Sequence, residues 1–217
     1  MMQLTRRDEQ MLDWLNVVRM ADMDGVRWAL AALKHGHADN PVTTRRANQW
    51  VARMAEAGLV ERVRPMYRNR QIVWPTYAGA GRTPPALFRQ TMRHELAVAA
   101  VSARYLAKGY EWSRDRRPES PRDHQGDGLA ARGGVVELVE VELTTKKLAR
   151  YRVIHGILGQ RLNGELAAVT YWCTPEVARV VDREADRFVF RDQRNRLVTR
   201  GVFDNQGRWI EGSAFAV

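Results

Sequence analysis

An alternating stretch in the middle of the chain restricts the fold more than any other feature of the sequence. In the stretch from Val136 to Thr144, apolar and polar residues alternate strictly from Val139 onward, and this period of two predicts a β-strand. Successive side chains of a strand point to opposite faces. One face carries Val139, Val141 and Leu143. The other carries Glu140, Glu142 and Thr144. Neighbouring carboxylates on one face repel each other, and a divalent cation would relieve that repulsion.

The charge balance of the chain favours a polyanionic partner. Its 217 residues contain 35 lysines and arginines against 25 aspartates and glutamates, a formal net charge of +10. This excess places nucleic acid first among the candidate partners. No apolar run approaches the roughly 18 residues that span a bilayer, and the N-terminal residues lack the apolar core of a signal peptide. We therefore expect a cytoplasmic protein with no membrane partner.

Cys173 is the only cysteine in the chain, which excludes an internal disulfide and a zinc site made of thiolates. It lies at the end of an apolar run that is typical of a buried strand. The sequence therefore predicts a packed core thiol and not a nucleophile.

The first 80 residues contain three amphipathic helices followed by a hairpin. Apolar residues at spacings of three and four predict helices over residues 6–20 and 24–36. The third helix is predicted to begin with Asn40 as its N-cap and Pro41 as its first residue, and to end at Gly58. Alternation over residues 59–64 and 70–74 predicts two strands. This order of elements is typical of a winged helix-turn-helix.

Polar and cationic side chains gather on the third helix and the hairpin. They suit phosphates and base edges, and we expect them to contact double-stranded DNA. They are Thr43, Thr44, Arg45, Arg46, Asn48, Gln49, Arg62, Arg64, Arg68 and Arg70. Residues 40–82 contain eight arginines and two glutamates, a net charge of +6 and more than half of the total. The alternative is a protein-interaction module on which these arginines form a solvated face.

The segment from Val51 to Arg62, VARMAEAGLVER, closely resembles the end of the recognition helix and the start of the wing in bacterial winged-helix regulators. The segment from Pro75 to Gly79 resembles the residues directly after the wing in those proteins. The resemblance covers roughly residues 4–80 and implies a DNA-binding domain over residues 1–80.

A second domain is predicted after a linker rich in glycine and proline at residues 81–85. Residues 86–217 predict an α/β (α+β) domain that opens with a helix over residues 87–108. Strands follow at residues 109–113, 126–132 and 135–143, with Gly133-Gly134 as the predicted hairpin turn between the last two, and then come a helix at 147–162, a strand at 166–173 and a helix at 174–186. The predicted topology makes the strand at 135–143 central, and the hairpin geometry allows Asp127 to lie beside Glu140. Edge strands are predicted at residues 188–190, 196–203 and 208–210.

This order of elements, with its acidic residues, resembles the PD-(D/E)XK nuclease superfamily, whose core is a mixed sheet flanked by helices. The combination of a winged helix, an Asp strand, a Glu-x-acid strand and a lysine followed by a tyrosine resembles the replication-relaxation proteins of plasmids and other mobile elements. The resemblance covers nearly the whole chain and implies a Mg²⁺- or Mn²⁺-dependent endonuclease that nicks or cleaves DNA during replication, relaxation or transfer.

The resemblance also implies roles for particular residues. Asp127 and Glu140 take the positions of the two metal-binding carboxylates, and Glu95 takes that of a helix glutamate that serves as an additional ligand. The chain departs from the pattern at two positions: Gly126 stands where the motif has proline, and Glu142 stands where it has the catalytic lysine. The resemblance allows the lysine to lie on the following helix, where the candidates are Lys146 and Lys147.

Other interpretations of these residues stay open at the level of sequence. Glu140 and Glu142 also suit the exposed face of an edge strand, Asp127 suits a turn, and Glu95 suits a solvated helix face. Lys146 and Lys147 also suit a patch that contacts phosphates. The alternative function is therefore a non-enzymatic DNA-binding regulator, or an accessory protein, whose degenerate nuclease fold serves as a platform for DNA binding or for a homodimer.

Overall fold

The computed structural model describes residues 3–65, 71–87, 91–118, 120 and 123–215. The chain forms two compact units, Met1–Tyr110 and Glu111–Val217. Both contain helices and β-strands, so the protein is a mixed α/β protein with one small antiparallel sheet and one mixed five-stranded sheet. No helix in the described ranges is long and apolar enough to cross a membrane.

The first unit contains the predicted helices and hairpin strands. Its elements are α1 (Arg6–Val18), β1 (Ala21–Asp22), α2 (Met23–His35), α3 (Thr44–Glu56), β2 (Val60–Val63), β3 (Ile72–Pro75), α4 (Tyr77–Ala80) and α5 (Met92–Ala107). The strands form an antiparallel sheet in the order β1-β3-β2. Strand β1 is not predictable from the sequence, because two residues are too few to show a period.

Helix α3 begins at Thr44, so the prediction that it begins at Pro41 is wrong. The Thr43 side chain, and not that of Asn40, accepts the capping hydrogen bond, from the Arg46 N–H at 3.4 Å. Val42 forms two hydrogen bonds with Arg27 of α2. The Val42 N–H donates to the Arg27 carbonyl, and the Val42 carbonyl accepts from Arg27 Nε at 2.8 Å. These two bonds hold the chain extended before the helix.

Asp8 of α1 fixes the position of α3. Its buried carboxylate accepts hydrogen bonds from Trp50 Nε1 at 2.9 Å and from both terminal nitrogens of Arg53 at 3.0 and 2.5 Å. Burial alone would raise the pKa of Asp8, but these bonds and those from Thr5 hold it well below its ordinary value. Trp50 therefore anchors α3 together with the buried Ala47, Val51 and Met54.

Helix α5 belongs to the first unit, although the sequence placed it at the start of the second domain. The run from Leu96 to Tyr105 is buried throughout, and the helix packs mainly on α2. The indole of Trp14 donates a hydrogen bond to Ser102 Oγ at 3.0 Å, and Arg104 forms an ion pair with Asp24 at 2.8 Å. The boundary between the two units therefore lies after α5, at Tyr110, and not before this helix.

The second unit is built on the mixed sheet. Its elements are β4 (Glu111–Ser113), β5 (Gly128–Arg132), β6 (Val135–Glu142), α6 (Leu148–Leu162), β7 (Ala168–Cys173), α7 (Pro175–Phe188), α8 (Arg191–Arg194) and β8 (Leu197–Gly201). The strand order is β4-β5-β6-β7-β8, with antiparallel pairing up to β6 and parallel pairing from β6 onward. Strand β6 is central, as predicted. Gly133 and Gly134 form the predicted hairpin turn, with φ of +59° and +80°.

Helices α6 and α7 cover one face of this sheet. Leu138, Val169, Tyr171 and Leu197 from the strands pack there against apolar side chains of both helices. On the other face, the ring of Trp172 stacks on Phe215, with the ring centroids 4.6 Å apart. Because side chains alternate along β6, Glu140 and Glu142 share the face of Leu138 that the helices cover.

Two of the predicted edge strands are wrong. Phe188 ends α7, and Phe190 is the N-cap of α8, because the Phe-Val-Phe alternation is too short to override the preceding helical period. Residues 208–210 form only an isolated bridge between Phe203 and Trp209. Asp204 bends this segment into a turn by accepting hydrogen bonds from the Gln206 and Arg208 N–H groups.

Candidate functional site

The carboxylates of β6 are buried near the carboxyl end of the central strand. Glu140 is 4% exposed and Glu142 is 5% exposed. Both lie on a strand with neighbours on each side, so the interpretation as an exposed edge-strand face is wrong. Burying two carboxylates is costly unless other groups offset their charge. The surroundings of these two side chains therefore decide what the site can do.

Asp127 lies beside Glu140, as the hairpin geometry predicted. It directly precedes β5, and its N–H donates to the Val139 carbonyl at 3.0 Å. Its Oδ2 accepts a hydrogen bond from the Val141 N–H at 2.7 Å. These two bonds to β6 place Asp127 across from Glu140 in the register of the two strands. Asp127 is thus more than a turn residue, because its carboxylate is fixed against the central strand.

His124 also contacts Glu140, and the sequence did not predict this. Its Nε2 lies 2.5 Å from Glu140 Oε1, and both side chains are buried. The available signal was its position three residues before Asp127 in a polar loop, but a lone histidine at that spacing is too common to single out. The contact offsets part of the Glu140 charge.

Lys146 is the lysine that the structure brings to the carboxylates. The Lys146 ammonium forms an ion pair with Glu142, and the backbone N–H of Lys146 donates to the Tyr151 hydroxyl at 3.2 Å. Burial lowers the pKa of Lys146, while the nearby Glu140 and Asp127 carboxylates act in the opposite direction. Lys147 is exposed at the N-terminus of α6. The two sequence candidates for the catalytic lysine therefore have different surroundings.

The electrostatics of Glu140 indicate that its charge is incompletely offset. Burial raises its pKa, contacts with His124 oppose that rise, the Asp127 charge adds to it, and Lys146 opposes it. The net direction is upward. One more positive charge beside Glu140 would therefore stabilise its ionised form.

Tyr171 adds an orphaned polar atom to this face. It pairs with Glu140 in the register of β6 and β7 and therefore lies on the same face of the sheet. Its side chain is 1% exposed, and its hydroxyl has no hydrogen-bond partner within the described residues. A buried hydroxyl without a partner costs about 1–3 kcal/mol. The site therefore fits a further polar occupant, such as a water molecule or a hydrated ion.

The donor set suits a hard divalent cation. Mg²⁺ is usually held by one or two carboxylates and keeps several waters, so Asp127 and Glu140 are sufficient protein ligands. Within the described ranges, no three His, Cys, Asp or Glu side chains converge closely enough to hold an ion. Water would complete the coordination, and His124 would have to release Glu140.

A buried ion pair supports the loop that carries these residues. Asp115 accepts two hydrogen bonds from Arg161 of α6, at 2.7 and 2.9 Å, and one from the Gly126 N–H at 2.7 Å. Burial alone would raise the pKa of Asp115, but these bonds hold it below its ordinary value. Gly126, where the nuclease motif has proline, is thus used as a hydrogen-bond donor. Asp115 and Arg161 were not singled out from the sequence, because they are 46 residues apart.

Glu95 lies on α5 in the first unit, whereas Asp127 and Glu140 belong to the second. Its assignment as a third metal ligand therefore stays a prediction. Cys173 is fully buried, and burial raises the pKa of its thiol, so the prediction of a packed core thiol is confirmed. His155 is also fully buried, and burial lowers its pKa to about 4.

The predicted DNA-contacting residues of the first unit are on its surface where the structure describes them. The side chains of Thr43, Thr44, Arg45, Arg46, Asn48 and Gln49 are exposed at the start and along the outer side of α3. Arg62 on β2 and Arg64 just after it are also exposed. Arg68 and Arg70 lie outside the described residues.

Comparison with protein-family models, with curated proteins and with solved structures finds no match to this chain.

The Asp115–Arg161 pair generates a prediction about stability. Asp115→Asn leaves the buried Arg161 guanidinium with only the exposed Glu165 as a counter-charge, so we expect a loss of about 3–5 kcal/mol in the free energy of unfolding at pH 7. The matched control is Glu165→Gln, which removes the exposed partner of the same arginine and is expected to cost less than about 1 kcal/mol. Chemical denaturation of the purified proteins measures both values.

The same pair predicts the pH dependence of that loss. The folded pKa of Asp115 is depressed, so its stabilising effect is present above the ordinary pKa of about 4 and is lost as the pH falls through the folded value. The difference between wild type and Asp115→Asn should therefore shrink below about pH 4. If wild type and Asp115→Asn differ in their free energy of unfolding by the same amount at pH 7 and below about pH 4, this role of Asp115 is contradicted.

Proposed function

We propose that this chain is a cytoplasmic DNA-binding protein of a plasmid, phage or other mobile element, and that its second unit nicks or cleaves DNA with Mg²⁺ or Mn²⁺. One observation carries the proposal. Asp127, Glu140 and Lys146 lie close together beside the end of the central strand. Two carboxylates can hold a divalent cation, and a lysine can stabilise charge that develops on a phosphate, so together they suit metal-dependent hydrolysis of a phosphodiester.

The order of strands supports the same proposal. Strands β4, β5 and β6 form an antiparallel meander, helix α6 crosses over, and β7 pairs parallel to β6. This is the arrangement expected for a PD-(D/E)XK core. The order α1-β1-α2-α3-β2-β3 in the first unit, with β3 between β1 and β2, likewise agrees with a winged helix-turn-helix. A relative of the replication-relaxation proteins would combine these two units in this order.

The residues of the second unit would divide the chemistry among them. Asp127 and Glu140 would hold the divalent cation, which lowers the pKa of an attacking water and neutralises charge on the phosphate. Lys146 would stabilise the negative charge that develops on the phosphate, in the role that Glu142 cannot perform. Glu142 would orient Lys146 through their ion pair. The Tyr171 hydroxyl would donate a hydrogen bond to a water or to a carboxylate oxygen in the loaded site.

The first unit would bring double-stranded DNA to this chemistry. Helix α3 presents exposed hydroxyl, amide and guanidinium groups on a helix whose opposite side is fixed to α1 through Trp50 and Arg53. Rigid placement of these side chains favours defined contacts with base edges and phosphates. The buried underside of α3 explains why the same helix can expose so many polar groups.

Plasmid conversion tests the nuclease activity. The purified full chain, with Mg²⁺ or Mn²⁺, should convert supercoiled plasmid to relaxed or linear DNA. Asp127→Asn and Glu140→Gln should lower the rate by at least about 100-fold, because losing a metal ligand costs more than losing a residue that only orients one, for which about 100-fold is the upper range. The control Glu176→Gln changes an exposed carboxylate on α7 and should leave the rate unchanged. Wild type that leaves the plasmid supercoiled, or equal rates for all variants, would overturn the assignment.

A matched pair of lysine variants tests the position of the catalytic lysine. Lys146→Gln should abolish most of the conversion, and Lys147→Gln should reduce it by less than about tenfold, because Lys146 interacts with the Glu140 and Asp127 carboxylates whereas Lys147 is exposed at the start of α6. Circular dichroism checks that both variants are folded.

A second candidate function is a non-enzymatic DNA-binding regulator or accessory protein. The ion pair between Glu142 and Lys146 favours it, because this pair partly neutralises the ammonium group that the nuclease mechanism would use. Under this alternative, binding to a duplex operator is unchanged by EDTA and by Asp127→Asn. Binding that requires a divalent cation and both carboxylates would count against it, and electrophoretic mobility shifts with and without EDTA separate the two cases.

A further inference from the structure

A basic cleft opens between the first three helices of the first unit. Its volume is about 440 Å³, and cationic side chains from α1, α2 and α3 line it: Arg7, Lys34, Arg46 and Arg53. Gln49 and Trp50 of α3 complete the polar part of its wall. Among the residues that the structure describes, no acidic side chain lines this cleft. Cations that line one space repel one another, and an anion bound between them would relieve that repulsion.

Within the described part of the chain, only one of the four cations has its charge offset. Arg53 is paired with the buried Asp8. Arg7, Lys34 and Arg46 form no ion pair with any residue that the structure describes. The Nε atom of Arg7 is buried and has no hydrogen-bond partner among those same residues. Three of the positive charges that line the cleft therefore have no ion-pair partner among the described residues, and one of them is on a partly desolvated guanidinium.

The position of the cleft on α3 points to its occupant. Arg46, Gln49 and Arg53 are spaced by three and four residues, so they form one side of the helix. Arg45 and Asn48 are on the adjoining exposed surface of the same helix. A DNA duplex that contacts Arg45 and Asn48 would have its phosphate backbone beside the cleft. Arginine and lysine are the side chains that bind backbone phosphates.

We propose that this cleft binds the phosphates of one DNA strand, and that Arg7 and Lys34 extend the DNA interface from α3 onto α1 and α2. The proposal rests on DNA binding by the first unit. Phosphate contacts of this kind add affinity for every duplex sequence and carry no base preference. Neither Arg7 nor Lys34 belongs to the recognition helix or to the hairpin, so the sequence pattern alone gave no reason to choose them.

The dependence of duplex affinity on salt tests the proposal with closely matched variants. Arg7→Gln and Lys34→Gln should each weaken binding to all duplexes equally and reduce the slope of log K against log salt by about 0.9, the effect of one lost phosphate contact. Arg6→Gln is the control, because Arg6 is the exposed neighbour of Arg7 on α1 and does not line the cleft. The Arg6→Gln variant should leave the slope of log K against log salt unchanged. Thermal melting verifies that the three variants are folded, and Lys34, which is exposed, keeps the test valid if Arg7→Gln is unstable.

The outcomes separate this proposal from the proposed function. If wild type binds duplex DNA and both cleft variants keep its salt slope, the cleft proposal is wrong while DNA binding stands. A loss of affinity for one sequence only would also overturn it, because it would indicate base contacts. Inorganic pyrophosphate serves as a probe for a small-anion site: stabilisation by pyrophosphate that depends on Arg7 and Lys34, with an unchanged duplex slope, would assign the cleft to a small ligand. A wild type that binds no duplex overturns both proposals.

Discussion

The buried ion pair between Asp115 and Arg161 holds the candidate site together. It joins the loop before β5 to helix α6, and the Asp115 carboxylate also accepts the Gly126 N–H. That loop carries His124 and Asp127, and α6 follows directly after Lys146 and Lys147. A buried pair of this kind contributes little net stability over apolar packing, but breaking it leaves an uncompensated charge. Its role in this unit is to fix where the site residues lie.

Around this anchor, β6 carries charge that its surroundings only partly offset. Glu142 is balanced by Lys146, whereas Glu140 depends on His124 and stands beside Asp127. The nearby Tyr171 hydroxyl has no hydrogen-bond partner in the described part of the chain. Buried polar groups without a hydrogen-bond partner reduce stability, and functional sites are one place where proteins retain them. A divalent cation with its waters would satisfy these groups together, which is why the metal-dependent function is the one we prefer.

The fold was largely predictable because its elements are long and periodic. The strand over Val135–Glu142, the glycine turn before it and the helix after it follow from local periodicity and turn chemistry. The failures are local ones in which tertiary contacts outweigh a local signal. Pro41 suits a helix start, but Val42 is bonded to Arg27 of α2, and the helix begins later at Thr44. The Phe-Val-Phe alternation at residues 188–190 suits a strand, but these residues end one helix and begin another.

The candidate site was predictable only in part. The proximity of Asp127 to Glu140 follows from a two-residue hairpin turn, so the sequence was sufficient for that pair. The choice between Lys146 and Lys147 depends on how the chain leaves β6, and alternation cannot specify it. His124, Asp115 and Arg161 meet their partners through loop contacts between residues far apart in the chain, for which a single sequence contains no periodic signal.

Anomalous diffraction from crystals soaked in Mn²⁺ tests the central claim most directly, because it locates the cation without relying on activity. We predict one anomalous peak between the carboxylates of Asp127 and Glu140, with His124 displaced from Glu140, and no peak at that place in crystals of Glu140→Gln. Wild-type crystals without a peak between these two carboxylates, or an unchanged peak in the variant, would contradict a metal site on the central strand.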